Sequence, residues 1–291
     1  MQHVAAPVAV GPKTFRMGDV LEHVAIVPGL LFMLALFGLP FVYTVWKSVS
    51  DPALGIDNYT AIAEDPLYLR LMANTVISAI GTTLACVAIG YPLTYAIYRA
   101  RSTWKRIMMA LVLISYAVGT VPRAFAWLVL LGDHGLLNQL LFAVRRSDRP
   151  IEFLYTQLGV LIGMTQVMLP FFVLILLGSM IRIDNRLVPA ARTLGASGVQ
   201  AFVTVFLPLS SPGLLAASML TFIYSLGFYV IPAVLGGPAQ ATVVMKIQSL
   251  VLQLGEWGLG AGLATLLAVA AVGGALVYVR TTGLTAVATH D

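Results

Sequence analysis

A chain of 291 residues that is 59% hydrophobic and 10% charged cannot clothe a water-soluble core of its size, since soluble proteins average about 25% charged residues. Its charges are clustered, leaving uncharged runs of 20 or more residues, and a helix crossing a bilayer needs about 20. The net charge of +5 calls for no nucleic-acid partner, because Lys and Arg sit at the ends of apolar runs, where the positive-inside rule puts them.

The composition therefore predicts an all-α integral membrane protein with the lipid bilayer as its solvent. The first twenty residues, with Pro7, Gly11 and Pro12, read as a cytosolic tail, taken as residues 1–22. The apolar run that follows is too long for the core of a secretory signal, so an uncleaved first span is expected. Six spans are predicted. They are Val24–Val45, Leu71–Tyr98, Ile107–Leu131 (interrupted by Arg123), Phe153–Ile181, a fifth near Pro212–Val234, and Trp257–Val279. The fifth is cut from an uncharged stretch, Val199–Met245, whose 47 residues are too long for one crossing at ~1.5 Å per residue. Prolines 208, 212, 232 and 238 and the Gly236-Gly237 pair are expected to end it, with an interfacial segment before and a loop after. The spans make one domain over residues 24–280, followed by a second cytosolic tail over 281–291. With both termini in the cytosol, ten Lys and Arg fall inside and six outside.

Between spans four and five lies Asp184–Gly213, on the cytosolic side by that charge count. Pro189 suits a first helical position, where its missing N–H is no loss. Ala190, Ala191 and Leu194 favour helix, and Gly195 favours an exit. Ser197 and Gln200 have the spacing of a capping box. Ala201, Phe202, Val205 and Phe206 then form an apolar stripe up to Pro208. Two short helices joined at a glycine are predicted. Periodicity alone leaves two uses open: a knob that passes force from a soluble partner into the spans, or an amphipathic helix lying on the bilayer.

The spacing Ala190-Ala191, Gly195, Val205, Leu207-Pro208 resembles the EAA loop of binding-protein-dependent ABC importer permeases. That pattern is EAA, three residues, G, nine residues, I-x-L-P. Pro189 stands where the family has Glu, and Val205 where it has Ile. The resemblance runs from about Asn58 to Arg280 and is closest to spermidine/putrescine-type permeases, through GYPLTYAIYRAR (90–101), PRAFAWLVLLGDHGLLN (122–138), LYTQLGVLIGMTQVMLPFFVLILLGSM (154–180), SLGFYVIPAVLGGP (225–238) and EWGLGAG (256–262). It implies a permease subunit of the bacterial inner membrane that transports a small organic solute, polyamine-like by subfamily. The implied partners are a second homologous permease, two ATP-binding cassette ATPase subunits and a periplasmic solute-binding protein. Pro189, Ala190, Ala191, Leu194, Gly195, Val205, Leu207 and Pro208 become the residues expected to couple to the ATPase.

This chain is not expected to be an enzyme. It has no GxxxxGK[ST] phosphate loop, so ATP and Mg are expected on the partner ATPases, with no cofactor here. The four histidines, His3, His23, His134 and His290, show no metal-ligand spacing, and no metal is expected. A guanidinium within a span costs ~2.5–3.5 kcal/mol on insertion scales, so Arg123 should face protein or water. It is expected to line the passage, brace a gate through carbonyls, or snorkel outward. Tyr116, Phe125 and Trp127 in span three, with Tyr224, Phe228 and Tyr229 in span five, form a candidate lining for organic cations, or else ordinary packing. Gly258 and Gly262 permit a close helix contact, within the chain or between copies. The competing class is a secondary transporter or channel working without ATP, which predicts acids inside the spans for ion coupling or unwound half-helices in related repeats.

Overall fold

The computed structural model describes residues 27–145, 150–184 and 186–282. The expected tail 1–22, the start of the first predicted span, Arg146 and Arg149, and residues 283–291 of the second tail lie outside this set. The described residues are almost wholly helical and include no β-strand. In chain order the helices are α1 (Val27–Ser50), α2 (Asp57–Glu64), α3 (Pro66–Arg99), α4 (Ser102–Ala117), α5 (Thr120–Leu131), α6 (Leu136–Arg145), α7 (Gln157–Met180), α8 (Leu187–Thr193), α9 (Gly198–Leu226), α10 (Val230–Leu235), α11 (Val243–Leu254) and α12 (Trp257–Thr282). Six stretches are long and apolar enough to cross a membrane: α1, α3, Thr120–Ala143, α7, α9 and Trp257–Leu276 of α12.

The chain divides into two units, Met1–Trp46 and Lys47–Asp291. The described part of the first is apolar helix with one widened π-turn at Leu34–Gly38. That turn ends two residues before Pro40, which cannot donate a backbone hydrogen bond; widened turns relieve such conflicts inside helices.

In the second unit α7 forms the centre. It is apolar on every side, which suits a helix surrounded by others. Val160, Met164, Phe172, Leu176 and Met180 along it are fully buried, or nearly so. Close approach by its neighbours depends on small residues, as expected where lipid supplies no hydrophobic drive between helices. A methyl placed on Gly90 of α3 would stand 2.6 Å from the Phe172 ring, and one on Gly213 of α9 would run into Ser179. Gly258 and Gly262 serve the same end within the chain. They let α12 meet the Asp51 carbonyl, Asn58 and Ile62 around α2.

Two predicted boundaries are corrected. The third span is not one helix over Ile107–Leu131. Helix α4 ends at Ala117, Val118 and Gly119 are extended, and α5 restarts at Thr120. At 16 residues, ~24 Å, α4 falls short of the ~30 Å hydrocarbon core, and the stretch that reaches crossing length is Thr120–Ala143. The fifth span does not begin at Pro212 behind an interfacial segment. It is continuous from Gly198 to Leu226 and breaks at Gly227–Tyr229 instead. The prolines are absorbed locally. A π-turn at Phe202–Phe206, closed by Leu207 N–H donating to the Phe202 carbonyl, precedes Pro208. Pro212 would leave the Pro208 carbonyl empty, and Ser211 Oγ donates to it at 2.8 Å.

One end of the bundle is tied by polar side chains. Asn74 Nδ2 donates to the Ala239 and Ala241 carbonyls at 2.7 and 3.0 Å. Thr75 Oγ1 accepts from Val243 N–H at 3.0 Å, and Gln157 Nε2 donates to Ser78 Oγ at 2.9 Å. The first three of these bonds fix the Pro66 end of α3 to the segment after α10 and the last ties it to the start of α7, leaving its Arg99 end to meet the segment between α7 and α9.

Overpacking a tight helix contact typically destabilises by ~1–3 kcal/mol. Gly90→Leu is therefore expected to lower Tm in detergent by several degrees. Gly178→Leu, on α7 with no atom within 4 Å of the added carbon, should leave it within a degree or two. Equal Tm values for the two variants would contradict the α3–α7 packing described here.

Candidate functional site

The segment Asp184–Gly213 folds as an elbow whose two halves are each closed by local bonds. Asp184 Oδ1 accepts from Arg186 N–H at 2.9 Å and leads into α8. The helix starts at Leu187, two residues before the expected start, so Pro189 sits third. A proline is still harmless there, because the first four N–H groups of a helix have no partner within it. At the exit, Gly195 takes φ +97°, a left-handed conformation that glycine adopts without strain. Gly195 N–H donates to the Arg192 carbonyl and Ala196 N–H to the Ala191 carbonyl, the paired bonds of a Schellman motif. The capping box then starts α9, with Gln200 N–H donating to Ser197 Oγ and Ser197 N–H to Gln200 Oε1.

The elbow is fastened to α3 by aromatic rings. Phe206 is 1% exposed and Ala201 is fully buried. The Phe206 ring lies 4.9 Å from Tyr95 and 5.2 Å from Tyr98, and the Phe202 ring 5.0 Å from Tyr95. The two pairs with Tyr95 are edge-on, and such pairs contribute ~0.5–1.5 kcal/mol each beyond the area they bury. Tyr91, Tyr95 and Tyr98 recur at helical spacing on one face of α3, and Tyr91 Oη shares a 2.8 Å hydrogen bond with Ser210 Oγ. Sequence reading identified the stripe on α9 but missed its partner. The tyrosine spacing inside GYPLTYAIYR was the available signal.

Of the expected coupling residues, Ala190 and Pro208 are exposed, and Ala191, Val205 and Leu207 are half-buried. Leu194, at 89% exposure, projects from the turn. Pro189 lines an open cavity of about 490 Å³ with Tyr95, Tyr98, Arg99, Arg192 and Phe206 among its walls.

A second cavity, about 470 Å³, opens where two helices are interrupted. Thr120, first residue of α5 after the Val118–Gly119 break, meets Tyr224, Gly227, Phe228 and Tyr229 at the α9–α10 break. Irregular backbone at membrane depth persists only where protein surrounds it or water reaches it, so paired breaks beside a cavity suit a solute passage. The structure thus gathers three of the expected lining residues: Tyr224, Phe228 and Tyr229. Phe228 is largely buried, while Tyr224 is exposed, with its ring 5.7 Å from Phe171. Tyr116, Arg123, Phe125 and Trp127 are not among its walls, and Thr120 was missed for want of any signal but its glycine neighbour.

Arg123 instead spans between helices. Its Nε donates to the Gly119 carbonyl and its Nη1 to the Val167 carbonyl of α7, both at 3.4 Å, the long edge of hydrogen-bond range. Trp127 Nε1 donates to Gln166 Oε1 at 3.2 Å. Both contacts fall one turn before Pro170, where α7 loses a backbone donor. Among the described residues no group of His, Cys, Asp and Glu is arranged to hold a metal.

Comparison with known proteins agrees with this architecture. Residues 87–280 match the family described as binding-protein-dependent transport system inner membrane component. The spermidine/putrescine transport system permease protein PotB of Escherichia coli (strain K12) is 28% identical over 251 residues, 86% of this chain and 91% of that protein. Its namesake in Haemophilus influenzae is 32% identical over 205 residues, 70% of this chain and 71% of that one. Among solved structures, a chain of a bacterial ABC transporter importing the acidic polysaccharide alginate superposes with a TM-score of 0.75 at 17% identity, covering 91% of this chain and 96% of the other. The chain belongs to the family of binding-protein-dependent transport system inner membrane components.

Proposed function

We propose that this chain forms half of the solute passage of an ATP-driven importer in the bacterial inner membrane. It pairs with a second, homologous permease. Two ATPase subunits, which bind the ATP and Mg, engage from the cytosol, and a periplasmic solute-binding protein delivers the cargo from the other side. Both termini and the elbow face the cytosol, in keeping with the Lys and Arg bias. The cargo is a small organic solute, with a polyamine the first to test, because the PotB relatives are spermidine/putrescine permeases.

The observation that carries this reading is the elbow. It projects an apolar tip, Leu194, while its base is locked by Phe202 and Phe206 against α3 and continues unbroken into α9. A free amphipathic segment resting on lipid has no need of an aromatic lock to a long neighbouring helix. ATPase closure presses the elbow, α3 and α9 shift together, and the cavity at the far end of α9 changes its opening. Tyr224 and Tyr229 present aromatic faces and hydroxyls there, which suit an organic cation or a polar solute.

The decisive test is uptake into proteoliposomes holding this chain, its permease partner and the ATPase, with the binding protein outside. ATP-dependent uptake that disappears with an inactive ATPase is expected. Uptake that survives ATPase removal would establish the ATP-independent transporter instead. Leu194→Asp should lower solute-stimulated ATP hydrolysis at least tenfold while the complex remains monodisperse. A Tyr224→Ala, Tyr229→Ala double variant should lower uptake at least tenfold with basal hydrolysis within twofold of wild type. Normal uptake in that double variant would remove the aromatic cavity from the passage.

A further inference from the structure

The cavity at the base of the elbow carries more than a mechanical contact. Its walls combine Arg99, on the last turn of α3, with Pro189 and Arg192 of α8, over a floor of Tyr95, Tyr98 and Phe206. Two guanidinium groups from different helices therefore border one recess. Arg99 lies over the Tyr95 ring, 5.8 Å from its centroid, and its Nη1 donates to Tyr95 Oη at 3.3 Å. The Arg192 guanidinium has no hydrogen-bond or ion-pair partner among the described residues. Across residues 99–106 and 181–213 there are seven Lys and Arg against one acid, Asp184, which is exposed and accepts from Arg186 N–H. Where the resembling loops carry a Glu, this chain offers Pro189, and no Asp or Glu is among the walls of the recess, although Asp184 lies within electrostatic reach of Tyr98.

A group that neutralises both guanidiniums at once would be anionic and would reach α3 and α8 together. Arginine presents a planar fork of donors that matches a carboxylate and forms charge-assisted bonds to it. The knob carrying the recess also exposes Leu194 at 89% and Val199 at 75%, so a partner meets apolar tips beside a basic recess. That pairing, an apolar centre with an ionic flank, is how protein surfaces recognise one another. Helix α3, with 34 residues, is ~51 Å long, ~20 Å more than the hydrocarbon core, so one or both of its ends stand clear of the hydrocarbon.

Resting on the importer reading above, we propose that the recess bordered by Arg99 and Arg192 receives an Asp or Glu side chain of the ATPase subunit. The polarity is thus reversed at this position: the acid comes from the ATPase and the permease supplies the guanidinium groups. A carboxylate held by both arginines grips the end of the second span and the elbow at once, so ATPase movement reaches α3 directly as well as through the aromatic lock.

The test uses the full complex in detergent and in lipid. Arg192→Lys keeps the charge and provides an amine that a carbodiimide joins, without a spacer, to a neighbouring carboxylate. Mass spectrometry is expected to find residue 192 joined to an Asp or Glu of the ATPase. Arg99→Glu with Arg192→Glu should weaken ATPase retention at least tenfold, and replacing the identified acid by Arg should restore it. Pro189→Glu, which brings a carboxylate into the recess from within, should weaken retention severalfold.

If the wild-type chain retains no ATPase subunit, the importer reading and this proposal fall together. If it retains the subunit, yet residue 192 forms no such link and the double reversal changes affinity less than twofold, this proposal alone is overturned. Loss of binding to phosphatidylglycerol vesicles in the double variant, with ATPase affinity unchanged, would overturn it in favour of lipid headgroups. Gel filtration of each variant separates these outcomes from misfolding.

Discussion

The lock between Phe202 and Phe206 of α9 and the tyrosines of α3 is the contact that holds the elbow to the bundle. Inside a bilayer, apolar surface alone gives helices no reason to prefer one another over lipid, so specific packing must supply the preference. At the core this comes from glycines that admit a neighbour, as at Gly90 and Gly213. At the elbow it comes from rings meeting edge to face, reinforced by the Tyr91–Ser210 hydrogen bond. Without that lock the elbow would be a tethered loop, and a force applied to it would be lost in its own bending.

Much of this was legible in the sequence because solvent dictates it. A bilayer requires long uncharged runs, so the number of crossings followed from charge spacing, and the elbow from glycine placement and the Ser197–Gln200 pair. Pro189 was placed two positions too early in its helix, since the first turn tolerates proline at several positions and spacing cannot choose among them. The fifth span was misjudged for a different reason. Proline is a reliable breaker in water, but Ser211 fills the carbonyl that Pro212 leaves empty, and the π-turn precedes Pro208. In a setting where unmet carbonyls are intolerable, nearby hydroxyls become repair devices.

The candidate passage was less legible than the elbow. Aromatic side chains in spans three and five pointed to several candidates, but type alone could not separate Tyr224, at a cavity wall, from Phe125, outside it. What gathers the wall is the coincidence of two helix breaks far apart in the chain, at Val118–Gly119 and Gly227–Tyr229. Arg123 shows the same limit. Its charge signalled importance, but its place between the Gly119 and Val167 carbonyls depends on how α5 meets α7.

The unbroken course of α9 has a consequence of its own. Its 29 residues make a rod of ~43 Å with the elbow at one end and the break beside Tyr224 at the other. It is held at the elbow end, where Phe202 and Phe206 meet α3, and near its middle, where Gly213 abuts Ser179. Under the proposed mechanism a push on the elbow would cross to the opposite face within this one helix, whose places of give are the π-turn at Phe202–Phe206 and the prolines at 208 and 212.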